Sequence, residues 1–255
     1  MVEQKPSSVE DVVITAWILT HPHGDHNGAW IQFTKSAEYK DKITVKHLMG
    51  NDPSNYIQTH MSGIYYAFDY SEQSKLFAGC SYIKVHTGQM LFFPSVTVDI
   101  LFTPEDIYPD FIVEQNSACT ISFKATVNES ETHEEISFLF LADVLENGAQ
   151  HMVEMYKEEL KCDVVQMGHH GNGGGSIEFY QLCQAKFVMW PIDEKAYTTK
   201  WEWERWPQTV WATENIETVI LAWEGHYVFW FEESIDINTD FSGTEDANGD
   251  YSKPY

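Results

Sequence analysis

The segment His21-Pro22-His23-Gly24-Asp25-His26 places four potential metal ligands close together, directly after the apolar run Val12–Leu19. Side chains alternate along a strand end, so the first two histidines can point to the same side. A turn at the glycine can bring the aspartate and the third histidine round to them. Four ligands packed so closely suit two metal ions. Two bound ions can lower the pKa of a water to about 7, so the spacing predicts metal-assisted hydrolysis.

A solvated polar loop is the alternative interpretation of this segment. A single histidine is usually structural or solvated, whereas a ligand cluster that follows a buried strand is a much more specific pattern. We therefore predict a metal site on this loop.

Two later segments have the same arrangement of a strand followed by ligands. The run Phe138–Ala142 precedes Asp143, and the segment CDVVQMGHHGNGGGS, residues Cys162–Ser176, carries His169 and His170. Together with the first segment, ILTHPHGDHNGAW, these two segments resemble three motifs of the metallo-β-lactamase superfamily, and they occur in the same order. The first matches its His-x-His-x-Asp-His signature, and the second resembles its strand ending in a metal-bridging aspartate. The third resembles the His-His-Gly motif of the competence-protein (ComEC-type) branch of hydrolases.

The resemblance implies two divalent ions and a ligand set that can be assigned position by position. His21 and His23 would hold the first ion, and Asp25 and His26 would hold the second. Asp143 would bridge the two. Histidine and carboxylate ligands without a thiolate suit Zn²⁺ or Mn²⁺, and the sequence leaves the choice between these metals open.

The adjacent histidines His169 and His170 both match the third motif. We favour His169 as the remaining ligand of the second ion and His170 as a substrate-facing group, although adjacent loop residues leave the reverse assignment open. Asp25 and His170 are accordingly the predicted catalytic residues.

The chain departs from the superfamily pattern at two positions. Asn116 and Ser117 stand where many members have a further histidine for the first metal. The competence-type branch often has Asn and Ser here, and we assign both residues to substrate binding. His86 and His133 are possible replacement ligands. Ala142 occupies the position before the bridging aspartate, where the superfamily usually has glycine.

The order of the predicted elements indicates an α+β fold, with antiparallel strands first and βα units later. The resemblance makes this a metallo-β-lactamase-like αβ/βα four-layer sandwich. Strands are predicted at Val12–Leu19, Ile43–Leu48, Tyr82–His86, Met90–Phe93, Val96–Phe102, Ala118–Val127, Ile136–Leu141, Asp163–Met167, Lys186–Pro191, Thr218–Trp223 and Tyr227–Phe231. Helices are predicted at Gly28–Tyr39, Glu146–Leu160, Ser176–Gln184 and Pro207–Glu214.

Length and composition favour one large domain. The chain has 255 residues, of which 43% are hydrophobic, and we place the domain at residues 1–233 and an acidic mobile tail at 234–255. Only a short segment precedes His21, so we expect the leading strands of the fold to be missing and the first sheet to be short. The apolar runs of the chain are too short to span a bilayer. The cysteines are dispersed along the chain and are typical of small buried side chains. The sequence leaves the cellular compartment undecided, with the cytoplasm slightly favoured.

The net charge of −24 bears on the substrate. With 15 basic residues against 39 acidic ones, the chain is poorly equipped to neutralise nucleic-acid phosphates. We therefore expect a small-molecule ester or phosphodiester substrate rather than a nucleic acid, and no membrane partner. The oligomeric state is open. Trp203 and Trp206 lie in a polar segment after the third motif, and we assign them to a substrate-binding wall, with simple packing as the alternative.

Two other functions remain open at this point. A noncatalytic scaffold with a degraded metal site is plausible because the first site lacks a histidine and because Ala142 replaces glycine. A flavodiiron-type oxidoreductase is the other hypothesis, and the absence of a flavodoxin module with its phosphate loop from this sequence argues against it.

Overall fold

The structure is a computed structural model that describes residues 12–36, 42–51, 68–103, 121–128, 135–201 and 205–224, together with the backbone of 228–229 and 237–238. Its strands are β1 (Val12–Ile18), β2 (Ile43–Gly50), β3 (Ser81–Lys84), β4 (Met90–Phe93), β5 (Val96–Phe102), β6 (Ser122–Asn128), β7 (Glu135–Phe140), β8 (Val164–Gln166), β9 (Phe187–Trp190), β10 (Thr218–Leu221), β11 (Val228–Phe229) and β12 (Ile237–Asn238). Its α-helices are α1 (Gly24–Lys35), α2 (Tyr70–Ser74), α3 (Glu146–Tyr156), α4 (Ile177–Cys183), α5 (Glu194–Ala196) and α6 (Pro207–Asn215).

The strands form two large sheets and a small one. The first sheet has the order β1-β2-β3, and its strands are all parallel. The second has the order β10-β9-β8-β7-β6-β5-β4, antiparallel from β4 to β7 and parallel from β7 to β10. Within the second sheet the antiparallel pairs come first along the chain, and the parallel pairs of its second half need crossover connections. The parallel first sheet precedes both, so the predicted order of antiparallel strands before βα units holds only for the second sheet.

Three hydrophobic clusters define the layers between these sheets and helices. Met49 of the first sheet packs with Val98 and Ile100 of the second, so the two sheets face each other. On the outer side of the first sheet lies Trp30 of α1, and on the outer side of the second lies Phe179 of α4. Helix, sheet, sheet and helix therefore follow one another, and the predicted α+β four-layer sandwich is confirmed.

Helix α1 begins four residues earlier than the sequence pattern indicates. The predicted start was Gly28, but the backbone of His23 is extended and its carbonyl accepts hydrogen bonds from the amides of His26 and Asn27 at 3.0 and 2.8 Å. An acidic residue in the first turn, Asp25, also suits the positive end of the helix dipole. Two of the candidate ligands therefore lie in a helical turn.

The ends of the chain are described in part. The small sheet pairs β11 with β12 in antiparallel fashion, so two residues of the predicted tail, at 237–238, form a strand. The rest of 234–255 lies outside the described residues, and the domain boundary at 233 stays a prediction, as does the expectation of missing leading strands. No helix among the described residues is long and apolar enough to cross a membrane.

Candidate metal centre

The candidate ligands lie where strands end, at one edge of the two sheets. His21 and His23 follow β1, Asp143 follows β7, and His170 follows β8. Because β1 lies in one sheet while β7 and β8 lie in the other, the ligands meet only once the two sheets are packed together. Functional groups are often found at the carboxyl ends of parallel strands.

The first group of ligand atoms consists of His21 Nε2, His23 Nδ1 and Asp143 Oδ2. The two nitrogens are 2.9 Å apart, and they lie 3.2 and 3.8 Å from the carboxylate oxygen. A triangle with these sides has a circumradius of about 2.0 Å, so one point lies at a Zn–N bond length from all three atoms.

The second group consists of Asp25 Oδ2, His26 Nε2 and His170 Nε2. His170 Nε2 lies 3.1 Å from both other atoms, which are 3.8 Å from each other. The circumradius of this triangle is also about 2.0 Å. Asp143 Oδ1 lies 3.1 Å from His26 Nε2 and 3.5 Å from His170 Nε2. One carboxylate therefore presents one oxygen to each group.

The environment of Asp143 supports a metal ligand at this position. Its side chain is 3% exposed, and Oδ1 makes no hydrogen bond of acceptable geometry within the described part of the chain, despite its short distance to His26. Buried carboxylate oxygens are almost always satisfied, so an unsatisfied one calls for an explanation such as an ion. The nitrogen and oxygen donors of both groups suit Zn²⁺ or Mn²⁺.

The protonation states follow from burial and from the neighbouring charges. Burial lowers the pKa of His21 to about 4, so its ring is neutral at pH 7. Burial would raise the pKa of Asp143, but its close contacts with the imidazoles of His21, His23 and His26 hold it well below its usual range. A neutral imidazole beside an ionised carboxylate is the form that binds a divalent ion.

The protonation states of the second ligand group differ from those of the first. A hydrogen bond from His170 lowers the pKa of Asp25 to about 2. Burial would lower the pKa of His170, but the hydrogen bond to Asp25 and the charge of Asp143 raise it to about 9. Without a metal, this group is therefore a charged pair that must lose a proton before His170 can act as a ligand.

Of the two adjacent histidines, the structure brings His170 to a ligand group, and not His169, which the sequence favoured. His170 contributes to the second ligand group, whereas His169 belongs to neither group and its Nδ1 lies 2.9 Å from the carbonyl of Asn172. His170 Nδ1 donates to the carbonyl of Pro191 at 2.6 Å, which leaves Nε2 free to face Asp25. Both residues have positive φ values, of 47° and 51°, and this left-handed turn points their rings apart.

A supporting residue that the sequence analysis missed is Thr20. Its hydroxyl oxygen lies 3.1 Å from His21 Nδ1 and 3.3 Å from His26 Nδ1, so one oxygen can accept a hydrogen bond from a ring in each group. With their Nδ1 atoms protonated, both rings present Nε2 to the candidate metal positions. The position of Thr20, directly before the first histidine, was the only sequence signal.

We expect Thr20→Val to weaken the binding of both ions. Valine keeps the shape of the side chain but cannot hold the two rings, and losing a partner of this kind typically costs about 10–100-fold in metal affinity. Metal titration against a competing chelator measures the effect. Thr20→Ser keeps the hydroxyl and should bind within a few-fold of the parent chain; equal losses in both variants would contradict the role of the hydroxyl.

The glycine-rich loop Gly171–Gly175 is closely packed. Four of its residues are buried, and a Cβ at Gly174 would lie 2.2 Å from the backbone of Gly168. The buried hydroxyl of Tyr180 accepts from the Gly168 amide at 3.0 Å and donates to the Gly174 carbonyl at 3.2 Å. The glycines allow two stretches of backbone to touch, and this contact fixes the turn that carries His170.

The structure describes only some of the remaining predicted site residues. Asn116, Ser117, Trp203 and His133 lie outside the described residues. His86 is described and belongs to neither ligand group. Trp206 is 45% exposed and lies over Gly173, where a Cβ would be 3.2 Å from its ring, whereas Trp211 packs against the main core. Of the two tryptophans assigned to the substrate-binding wall, therefore, only Trp206 is described, and it is exposed beside the loop.

Comparison with known proteins identifies structural neighbours only. No protein-family model matches the chain, and no curated protein matches it. Among solved structures, the metallo-β-lactamase fold protein YhfI from Bacillus subtilis matches at 12% identity and a TM-score of 0.45, over 83% of this chain and 76% of its own length. Unliganded yeast PDE1 matches at 14% identity and a TM-score of 0.45, over 82% and 66%.

The diiron β-hydroxylase CmlA from Streptomyces venezuelae matches at 13% identity and a TM-score of 0.42. The match covers 71% of this chain and 35% of CmlA, so the chain spans about a third of that protein. Because every one of these TM-scores is below 0.5, the likenesses carry no argument about activity, and the ComEC-type branch stays a prediction. The fold assignment rests on the sheets, the helices and the order of the layers in this chain.

Proposed function

We propose that this protein is a metal-dependent hydrolase that holds two divalent ions, Zn²⁺ or Mn²⁺. The observation that carries the proposal is the position of Asp143, whose two oxygens face two separate groups of ligand atoms. His21 and His23 would complete the first site, and the second group would complete the other. When bound, two such ions supply an activated water near neutral pH and stabilise the charge that develops in the transition state.

The exposure of the ligands indicates where a substrate would approach. His21 and Asp143 are enclosed, whereas the side chain of Asp25 is 60% exposed and that of His170 is 24% exposed. Catalytic metal sites keep one open side, so the second group is the side that substrate would reach. Asp25 is ionised at neutral pH because its pKa is about 2. It can therefore orient a water or accept a proton, but it cannot act as the general acid.

We further propose a phosphodiester or a similar small ester as the substrate. The net charge of −24 repels long polyanions, while a small anionic ester can still be held locally by two cations. The test combines metal analysis of the purified chain with assays on a bis-aryl phosphodiester, a β-lactam and plasmid DNA, each with Zn²⁺ or Mn²⁺. Two ions per chain and preferential phosphodiester hydrolysis are expected. Fast plasmid cleavage at physiological salt would contradict the substrate assignment.

A noncatalytic protein with the same fold is the second candidate. Its support is the first ligand group, in which His21 and Asp143 are buried and His23 is partly buried, and which has no further histidine among the described residues. A closed site with few ligands suits a structural ion or none. One ion or no ion per chain, with no hydrolysis of any of the three substrates, would favour this candidate over the hydrolase.

Binding of the second ion should release a proton at neutral pH, whereas His21 should release none. His170 is protonated below its pKa of about 9, so the apparent affinity of the second site should rise about tenfold per pH unit up to that value. His21, with a pKa of about 4, is already neutral at pH 7. Calorimetric titration in buffers of different ionisation enthalpy counts the protons. A second-site affinity that does not change with pH would contradict the charged state of His170.

A further inference from the structure

The left-handed turn that carries His170 is held by buried side chains from other elements. The carbonyl of His170 accepts a hydrogen bond from the indole Nε1 of Trp190 at 2.8 Å. The next carbonyl along the chain, that of Gly171, accepts one from the hydroxyl of Thr209 at 2.9 Å. Both donor residues are buried. Two successive carbonyls of the turn are therefore paired with side chains that are enclosed in the protein.

Trp190 reaches the turn because it ends strand β9, which lies beside β8. The two strands are parallel, with Gln166 of β8 opposite Met189 of β9, so the residue after Met189 lies next to the segment that follows β8. Pro191, the residue after Trp190, accepts the hydrogen bond from His170 Nδ1 at 2.6 Å. The end of β9 thus holds both the backbone and the ring of His170.

Thr209 ties the same turn to helix α6, of which it is the third residue. The backbone of Gly171 also packs against Trp190, because a Cβ at this position, where φ is 86°, would lie 2.7 Å from the indole ring. A buried carbonyl that loses its partner is costly, so any shift of the turn that breaks these bonds is opposed. The turn is therefore fixed between β9 and α6.

This arrangement bears on the affinity of the second ligand group for an ion. A ligand that is already held in its binding position loses little conformational freedom when the ion arrives, so residues that orient a ligand raise metal affinity. Neither Trp190 nor Thr209 belongs to a ligand group. We propose that both are positioning residues, which hold His170 Nε2 toward the other members of the second group. Their effect on metal binding rests on the proposed function, whereas their effect on the turn does not.

Thr209→Val tests this proposal through the two metal affinities. Valine keeps the shape of the side chain and removes the hydrogen-bond donor. We expect the affinity of the second site to fall by about tenfold, the lower end of the loss for groups that orient a ligand, while the affinity of the first site is unchanged. Competition with a chelator measures both. Trp190→Phe removes the indole N–H, keeps an aromatic ring and should have the same selective effect, so it is an independent test if Thr209→Val does not fold.

Two controls separate positioning from a general loss of stability. Thr209→Ser keeps the hydroxyl and should retain the second-site affinity. Thr213→Val removes a hydroxyl from the same helix, where it donates to the carbonyls of Thr209 and Val210, and should leave both affinities unchanged. Equal losses at the two sites, or equal losses in Thr209→Val and Thr213→Val, would show that the Thr209 hydroxyl contributes to stability alone and would overturn the proposal.

Amide hydrogen exchange of the metal-free protein is a second test that does not depend on metal binding. The Asn172 amide donates to the His169 carbonyl at 2.7 Å within the turn, and the Trp190 indole N–H is bonded to the same turn. Thr209→Val should speed the exchange of both protons relative to the amides of strand β7, and Thr213→Val should not. Unchanged exchange would overturn the proposal.

The two tests distinguish failure of this proposal from failure of the proposed function. Faster exchange at the turn in a chain that binds no ion would contradict the proposed function and keep the positioning of the turn. Two bound ions, with the second-site affinity unchanged in Thr209→Val and in Trp190→Phe, would do the reverse.

Discussion

Asp143→Asn should release both metal ions and abolish hydrolysis. Asparagine has nearly the same volume, but one of the two oxygens becomes an amide nitrogen that cannot bind a cation, and the negative charge is lost. Changing a residue that merely orients a ligand costs about 10–100-fold in metal affinity, so losing a ligand shared by both groups should cost more than about 100-fold at each site. Competition with a chelator gives the two affinities, and circular dichroism verifies that the variant is folded.

The control for this variant is Asp99→Asn. Asp99 is a partly buried carboxylate of β5 that belongs to neither ligand group, and burial raises its pKa. This variant should keep both ions and full activity. If Asp143→Asn lost one ion and bound the other with unchanged affinity, the carboxylate would not be shared between the sites.

His170→Ala should lose the second ion while keeping the first. The Nε2 atom of His170 is a member of the second group only, so removing it leaves the first group intact. We expect the second-site affinity to fall by more than about 100-fold, and hydrolysis to fall with it. The first-site affinity should change by less than about tenfold, because Asp143, which faces both groups, is still present.

His169→Ala is a closely matched control for this prediction. Both histidines have positive φ values close to 50°, so alanine has a similar backbone cost at either position. The ring of His169 lies against the carbonyl of Asn172, and its loss should cost about 1 kcal/mol of stability without a change in metal stoichiometry. The opposite result, loss of the second ion in His169→Ala alone, would restore the assignment that the sequence favoured.

The sequence by itself determined the types of the candidate ligands and most of their positions. His21, His23, Asp25 and His26 are contiguous, so a strand followed by a turn is enough to bring them together, and this is local geometry. Asp143 was selected because the strand that leads to it resembles the corresponding motif of the superfamily. The α+β order of strands and helices also follows from local patterns of hydrophobicity, which depend on which face of each element is buried.

Only the tertiary structure decided between His169 and His170. Adjacent residues in a loop have the same sequence signal, and the choice depends on a left-handed turn held by the Gly168–Gly174 backbone contact. The role of Thr20 likewise depends on two rings that meet at its hydroxyl. Finally, the position of Asp143 between the two groups requires that the end of one sheet be packed against the end of the other. The contacts of Asp143 with His21 and His26 join residues far apart in the chain, so no local pattern can encode them, whereas the other two contacts depend on the exact backbone course of a loop.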